Sequence, residues 1–263
     1  MDVDITWVEA SDLEPTTDTS AEATSAYTKA WEALHSADGI CVPGGFGNRG
    51  TEGKILACQY ARENKKPYLG LCLGMQVMVM EYARNVLEWR DANSTEFNPD
   101  CKHPVIIFMP EVNKNMMGGT MRLGARATVI RDHCIHKDQA STKTIASVVY
   151  GTSEPLDGAL PAPVGSASDV VVERHRHRYE VNPEKVPTIE AAGLVFSGKD
   201  ETGERMEICE LPRDQHPFFF GTQFHPEFKS RPNRPSPPFF GFLSVCAGKE
   251  DKIGLGGQVS NSS

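Results

Sequence analysis

The sequence predicts an α/β fold, with a mostly parallel central sheet flanked by helices. Two strand–helix units follow each other in its first third, and their strands are short apolar runs of the kind that is buried on both faces. The length of 263 residues, with 39% hydrophobic and 24% charged residues, is typical of one globular domain with a substantial core. We therefore begin from a single domain.

The first elements lead into a glycine-rich turn. Residues 4–8 alternate apolar and polar side chains, which predicts a short strand. Ala26, Ala30 and Leu34 then share one face of a predicted helix. Residues 39–42 form an apolar run that predicts a short buried strand, and the turn follows it.

A second strand–helix unit follows the turn. A helix is expected at about residues 52–64, a strand at 68–71 and a further helix from residue 73 to about 86. Helices that alternate with short apolar strands indicate a parallel sheet with both faces covered.

The remaining elements are less regular. Residues 151–168 are rich in Gly, Pro, Ala and Ser, which predicts a mobile loop, and residues 231–238 contain four prolines, which predicts an extended segment before a helix from Phe239. Residues 249–263 form a polar, flexible tail in this interpretation. Further strands are predicted at residues 105–109, 169–172, 193–197, 206–210 and 218–224.

Cys72 lies between Gly70 and Gly74, where a predicted strand gives way to a helix. This pattern is typical of a nucleophile elbow, in which a tight turn displays the side chain and small neighbours let the backbone pass closely. The helix N-terminus favours a thiolate, and the amide of Leu73 could donate to an oxyanion. A buried core cysteine with packing glycines is the simpler interpretation of the same motif.

His225 and Glu227 follow the apolar strand near the C-terminus. A thiol nucleophile needs a base to carry its proton, and that base needs an acceptor on its other ring nitrogen. In an extended segment, a spacing of two returns both side chains to one side. A surface histidine with an unrelated carboxylate would also fit, but together with the elbow the pattern favours a catalytic pair.

Charge and cysteine usage exclude several classes of function. A net charge of -8 argues against a nucleic-acid partner, and the sequence contains neither a membrane-length apolar run nor a secretory signal, so we expect a cytoplasmic protein without membrane contact. Seven scattered cysteines without a CxxC pair argue against disulfides and zinc ribbons. His133, Cys134 and His136 lack a second cluster, and we expect no metal site.

A nucleotide-binding module is the non-enzymatic alternative. Gly45, Gly47 and Gly50 formally match the dinucleotide fingerprint between a strand and a helix. That interpretation requires an acidic residue at the end of the next strand, where Cys72 and its neighbours stand instead. The loop is therefore better explained as part of an oxyanion hole.

Several motifs in a fixed order make a family resemblance visible. The chain resembles the triad-type, class I glutamine amidotransferases in Pro43-Gly44-Gly45-Phe46-Gly47, Gly70-Leu71-Cys72-Leu73-Gly74-Met75-Gln76 and Phe224-His225-Pro226-Glu227. Residues 91–97, 118–124 and 173–182 narrow the resemblance to the glutaminase domains of CTP synthases. The resemblance extends from Asp4 to about Phe242 and implies a flavodoxin-like, class I glutamine amidotransferase fold.

The resemblance implies a role for each matching residue. Cys72 would be the nucleophile, His225 the general base and acid, and Glu227 its orienting partner. Gly45 and Leu73 would supply the amides of the oxyanion hole.

Three more residues, Gln76, Glu96 and Arg178, would hold the amino-acid end of L-glutamine. Gln76 lies one helical turn beyond Cys72, and a carboxylate with a guanidinium suits the substrate's ammonium and carboxylate. A γ-glutamyl peptide hydrolase on the same scaffold is the enzymatic alternative, and these three residues favour free glutamine.

The resemblance also implies a larger assembly. Residues 1–248 would be the amidotransferase domain, lacking the first strand and helix that such domains carry, and the synthetase domain would lie outside this chain. In the family, that domain of the same polypeptide uses the ammonia to convert UTP to CTP with ATP and Mg²⁺, in pyrimidine biosynthesis. GTP would act as an activator near Arg49, the full-length enzyme would be a homotetramer, and this domain itself would need no cofactor.

Overall fold

The computed structural model describes residues 2–109, 121–134, 142–151 and 170–255. The first half begins with a 3₁₀ helix at Ala10–Leu13. It continues with α1 (Ala21–Ser36), β1 (Ile40–Val42), α2 (Thr51–Glu63), β2 (Tyr68–Leu71), α3 (Leu73–Asn85), β3 (Asn93–Ser94) and β4 (Pro104–Phe108).

The second half supplies most of the strands. These elements are β5 (Arg122–Ile130), β6 (His133–Cys134), β7 (Thr142–Lys143), α4 (Ile145–Gly151), β8 (Val170–His177), β9 (Tyr179–Val181), α5 (Val186–Ala192), β10 (Val195–Lys199), β11 (Met206–Glu210) and β12 (Phe219–Thr222). A 3₁₀ helix at Pro226–Lys229, α6 (Pro237–Cys246) and a 3₁₀ helix at Glu250–Ile253 complete them.

The main sheet has seven strands in the order β1-β2-β12-β11-β10-β5-β8. The parallel part is β1-β2-β12, and the strands from β11 to β8 extend it with antiparallel pairings. Two small sheets, β3-β4-β9 and β6-β7, accompany it. The predicted α/β class is confirmed, and both predicted strand–helix units lie in the parallel part.

Helices cover both faces of the parallel strands. Along β2, Tyr68 packs into the hydrophobic cluster that contains α1, α2 and α3 residues, whereas Leu69 and Leu71 pack into the cluster that contains α4 and α6 residues. The alternation follows from the two-residue period of a strand. Every residue of β2 and β12 is buried, which explains their continuous apolar sequences.

Residues 4–8 do not form the predicted strand. Trp7 is 87% exposed, and Val8 is the residue of this segment that packs against the core. A strand is stabilised by hydrogen bonds to a neighbour, and these residues pair with none of the described strands. The alternating pattern was therefore insufficient without a sheet edge to join.

Two other predictions concern loops and the C-terminus. The loop predicted at residues 151–168 lies outside the described residues except for Gly151, the last residue of α4. The tail predicted from residue 249 is described as far as residue 255, and it contains the 3₁₀ helix at Glu250–Ile253. Ile253 in this helix and Leu255 after it are both buried. These two apolar side chains pack near α6, which accounts for the order of this part.

Candidate active site

Cys72 occupies a sharp turn between β2 and α3. Its backbone has φ 50° and ψ -101°, a positive-φ conformation that is costly for a residue with a Cβ. A Cβ on Gly70 would lie 2.6 Å from the carbonyl of Gly74, and a Cβ on Gly74 would lie 2.2 Å from the carbonyl oxygen of Val42. Both glycines are therefore required for the backbone to pass, as the elbow pattern indicates.

Strand pairing brings the histidine to the cysteine. Leu71 of β2 pairs in parallel with Thr222 of β12, and the amide of Cys72 donates to the carbonyl of Thr222 at 2.7 Å. Three residues beyond Thr222 the chain reaches His225. Two segments 150 residues apart in sequence thus end side by side at the same edge of the sheet.

His225 Nδ1 lies 2.7 Å from Glu227 Oε1. The sequence analysis expected an extended segment here, but the chain forms a 3₁₀ turn that begins at Pro226. This turn also brings the side chains of residues 225 and 227 together. Burial alone would lower the pKa of His225. Interactions with the nearby Cys72 thiol and with Glu227 outweigh that effect and raise the pKa to about 9.

Gly44 packs directly against the Cys–His pair. A Cβ at this position would lie 2.8 Å from His225 Cε1 and 3.3 Å from Cys72 Cβ. Gly45, the predicted oxyanion donor, faces Leu73, whose Cδ2 would be 3.4 Å from such an atom. The sequence analysis quoted Gly44 in a motif but gave it no role, and its need for close approach is visible only in the structure.

The carboxamide of Gln76 belongs to a buried chain of hydrogen bonds. Its Nε2 donates to the carbonyl of Tyr179 at 2.8 Å and to Gln223 Oε1 at 3.1 Å. Gln223 Nε2 in turn donates to Cys72 Sγ at 3.7 Å. With both protons of Gln76 used, its Oε1 is the atom that can accept from a substrate. The sequence analysis gave Gln223 no role, although this buried residue stands two residues before His225, directly after β12.

Glu96 and Arg178 lie close to one another beside the glycine-rich loop. Burial raises the pKa of Glu96, while a hydrogen bond from the backbone of Gly47 and the charge of Arg178 lower it. Arg178 is exposed, at the turn between β8 and β9. The two predicted recognition residues therefore offer opposite charges that are near enough to influence one another, which suits an ammonium and a carboxylate on one molecule.

One buried group among the described residues has the composition of a metal site. The potential ligand atoms of His175, His177 and Glu207 lie within 4.8 Å of one another. Arg122 Nη2, however, lies 2.7 Å from Glu207 Oε1 and already provides its counter-charge. Burial, followed by the charge of Arg122, lowers the pKa of His175 to about 3. We interpret the group as an ion-pair network beneath the β8–β9 corner.

Among the described residues, no helix has the length and apolar character needed to cross a membrane. The pattern of His133, Cys134 and His136 is only partly covered, since His136 lies outside the described residues.

Comparisons with known proteins agree on one family. The family model for class-I glutamine amidotransferases matches residues 10–245. CTP synthase 1-B of Xenopus laevis is 51% identical over 247 residues, and CTP synthase 1 of Homo sapiens is 49% identical over the same length. Each alignment covers 94% of this chain but 37% of the relative, so the chain spans well under half the length of these proteins.

A solved structure gives the same result for the fold. The glutaminase domain of Trypanosoma brucei CTPS, solved with bound acivicin, superposes with a TM-score of 0.73 at 40% identity. The match covers 95% of this chain and 82% of that one. The predicted flavodoxin-like, class I glutamine amidotransferase fold is confirmed.

Proposed function

The chain belongs to the class-I glutamine amidotransferase family, and from that premise we propose that it hydrolyses L-glutamine to glutamate and ammonia through a thioester on Cys72. The observation that carries the proposal is the elbow at Cys72 beside His225, itself held by Glu227 at 2.7 Å. A nucleophile, a base and an orienting carboxylate in this arrangement are what acyl transfer from an amide requires.

In the first half-reaction, the thiol proton passes to His225 Nε2 and the sulfur attacks the side-chain amide carbon of glutamine. The amides of Gly45 and Leu73 would stabilise the resulting oxyanion. Leu73 is the first residue of α3, where the N–H groups have no partner within the helix. When the carbon–nitrogen bond breaks, His225 returns the proton to the leaving nitrogen. Ammonia leaves, and a glutamyl thioester remains on Cys72.

In the second half-reaction, His225 takes a proton from a water molecule, which attacks the thioester. Glutamate is released and the thiol is restored by the same proton. Throughout, Glu227 holds the ring so that Nε2 serves the reaction, because Nδ1 is occupied. Gln76, Glu96 and Arg178 would bind the substrate's amino and carboxylate groups.

We further propose that the ammonia serves a synthetase domain of the same polypeptide, which would convert UTP to CTP with ATP and Mg²⁺. Identity of about 50% to CTP synthases over nearly the whole chain supports this, as does the match to a CTPS glutaminase domain. GTP as activator near the exposed Arg49, a tetramer of the full-length protein and a cytoplasmic location belong to the same proposal. The domain would comprise residues 1–248 with the packed turn that follows them.

Ammonia release by the purified protein tests the glutaminase activity. Cys72→Ala should reduce turnover of glutamine by a factor of about a thousand or more, because the nucleophile is gone, while the thermal unfolding midpoint stays near that of the parent. Cys101→Ala, a partly exposed cysteine away from the elbow, is the matched control and should keep full activity. Turnover by folded Cys72→Ala would remove Cys72 from the mechanism.

A glutamine-derived chloroketone provides a second test. It should label Cys72 alone. Burial raises the pKa of Cys58 and Cys209 well above the ordinary range, that of Cys41 and Cys246 to about 12, and also that of Cys101. Labelling of another cysteine would contradict the assignment. Comparing ammonia release from glutamine with cleavage of γ-glutamyl peptides distinguishes the glutaminase from the peptide hydrolase.

A further inference from the structure

Gln223 is a fully buried carboxamide that touches the sulfur of Cys72. Its side chain is 0% exposed, and its Nε2 lies 3.7 Å from Cys72 Sγ. Its backbone is fixed as well, since its amide donates to the carbonyl of Glu207 at 2.8 Å. A buried polar side chain in such a position is costly unless its hydrogen bonds are made.

The neighbouring groups dictate which end of Gln223 faces the sulfur. The carbonyl of Tyr179 can only accept, so the contact at 2.8 Å must come from the Nε2 of Gln76. The same Nε2 lies 3.1 Å from Gln223 and must donate there too, which makes the contacted atom of Gln223 its Oε1. The remaining end of Gln223, an N–H₂ group, therefore points at Cys72.

We propose that Gln223 takes part in the reaction by donating an N–H to the sulfur of Cys72 and thereby favouring its thiolate form. A thiol is a weak acceptor, whereas a thiolate carries a full charge, so the donated bond strengthens when the proton leaves. The low local dielectric around a buried group increases that difference. The inference rests on the proposed role of Cys72 as nucleophile.

The same side chain also orients Gln76. By accepting from Gln76 Nε2, Gln223 leaves Gln76 Oε1 available to the substrate. Gln223 thus links the nucleophile to a predicted substrate-binding residue. Its carboxamide oxygen contacts Gln76 and its carboxamide nitrogen contacts Cys72.

Gln223→Met tests the donor, since methionine has a similar shape and no N–H. Alkylation of Cys72 by iodoacetamide is followed from pH 5 to 10, with the labelled peptide identified by mass spectrometry. We expect alkylation near neutral pH to slow about tenfold and to regain the parent's rate only at higher pH. The kcat/KM for glutamine should fall about ten- to a hundred-fold, the usual effect of losing a hydrogen bond to a charged group.

Gln59→Met is the matched control. Gln59 also donates a side-chain hydrogen bond, to Glu63 at 2.9 Å, but on the exposed side of α2. Both its alkylation profile and its turnover should equal those of the parent.

An unchanged alkylation profile in folded Gln223→Met overturns the inference, whatever happens to turnover. If that variant does not fold, Gln223→Leu also removes the N–H donor, and a parent-like profile there has the same meaning. Alkylation needs no glutamine. A parent protein that releases no ammonia would therefore count against the proposed function, while the alkylation profiles would still decide the role of Gln223.

Discussion

The backbone amide of Cys72 donates to the carbonyl of Thr222 across 2.7 Å, although 150 residues separate the two in sequence. This bond continues the parallel register of β2 and β12, in which Leu71 pairs with Thr222. Because both strands end at this point, the chain turns into α3 on one side and reaches His225 three residues later on the other. The geometry of the candidate nucleophile and base therefore depends on a backbone contact.

Removing the carboxylate behind His225 should change how the site titrates. His225 has a pKa of about 9, above its ordinary value near 6.5, partly because of Glu227. In Glu227→Gln we expect this pKa to fall, as followed by NMR of the imidazole Cε1–H signal. Glu201→Gln, at an exposed turn, should leave it unchanged.

The same shift predicts a stability difference with a definite sign. A raised histidine pKa stabilises the folded state fully below about pH 6.5, and this contribution disappears as pH rises through about 9. Glu227→Gln should therefore lose most stability, relative to the parent, at pH 6 and least at pH 10. Urea unfolding at pH 6 and pH 10 measures the loss of unfolding free energy in Glu227→Gln. An equal loss at both pH values would contradict the raised pKa of His225 as its cause.

The elbow glycines should tolerate no side chain. In Gly74→Ala the new Cβ would lie 2.2 Å from the carbonyl oxygen of Val42, so the backbone must shift. We expect a loss of about 3 kcal/mol or more in the free energy of unfolding, measured by urea denaturation. Gly151→Ala is the control, since its Cβ would meet no atom within 4 Å, and it should be neutral or slightly stabilising.

Arg178 should affect substrate affinity more than chemistry. Arg178→Lys keeps the charge but loses the fork that matches a carboxylate, so we expect the KM for glutamine to rise about tenfold or more with a smaller change in kcat. Steady-state ammonia release measures both. Arg174→Lys changes an exposed arginine on the preceding strand, β8, and should behave like the parent. A KM that does not move would exclude Arg178 from substrate binding.

Arg122 should hold the buried network together. Burial raises the pKa of Glu207 to about 8, and Arg122 is the main charge that opposes this rise. In Arg122→Met we expect a loss of about 3 kcal/mol or more at pH 9, where Glu207 is ionised, the usual cost of leaving a buried charge unpaired.

The loss in Arg122→Met should depend on pH. An acid with a raised pKa destabilises the folded state as pH rises, so removing Arg122 should cost more at pH 9 than at pH 6. Urea unfolding at both values checks this, and the double variant with Glu207→Gln should recover part of the loss. No recovery would mean that the pair is not coupled.

Several features of the fold followed directly from local patterns. The helices α1, α2 and α3 and the strands β1 and β2 agree with prediction within a few residues, because their apolar side chains follow a clear helical or strand pattern. Residues 4–8 show the limit of this reasoning, since a strand exists only where a neighbour can pair with it. Of the antiparallel strands that extend the sheet, β8, β10 and β11 were predicted as strands without a partner or direction, because pairing depends on distant residues. The strand β5 was not predicted.

By itself, the sequence indicated the family, proposed Cys72, His225 and Glu227 as catalytic candidates together with the substrate-binding candidates, and predicted the need for glycines around the elbow. These properties lie in short motifs whose residue types are dictated by local backbone geometry and by chemistry. Only the tertiary structure decided that Gly44 packs on the Cys–His pair and that Gln223 points its N–H₂ group at the sulfur. Both depend on contacts between segments more than 100 residues apart, which strand register creates and no local pattern encodes.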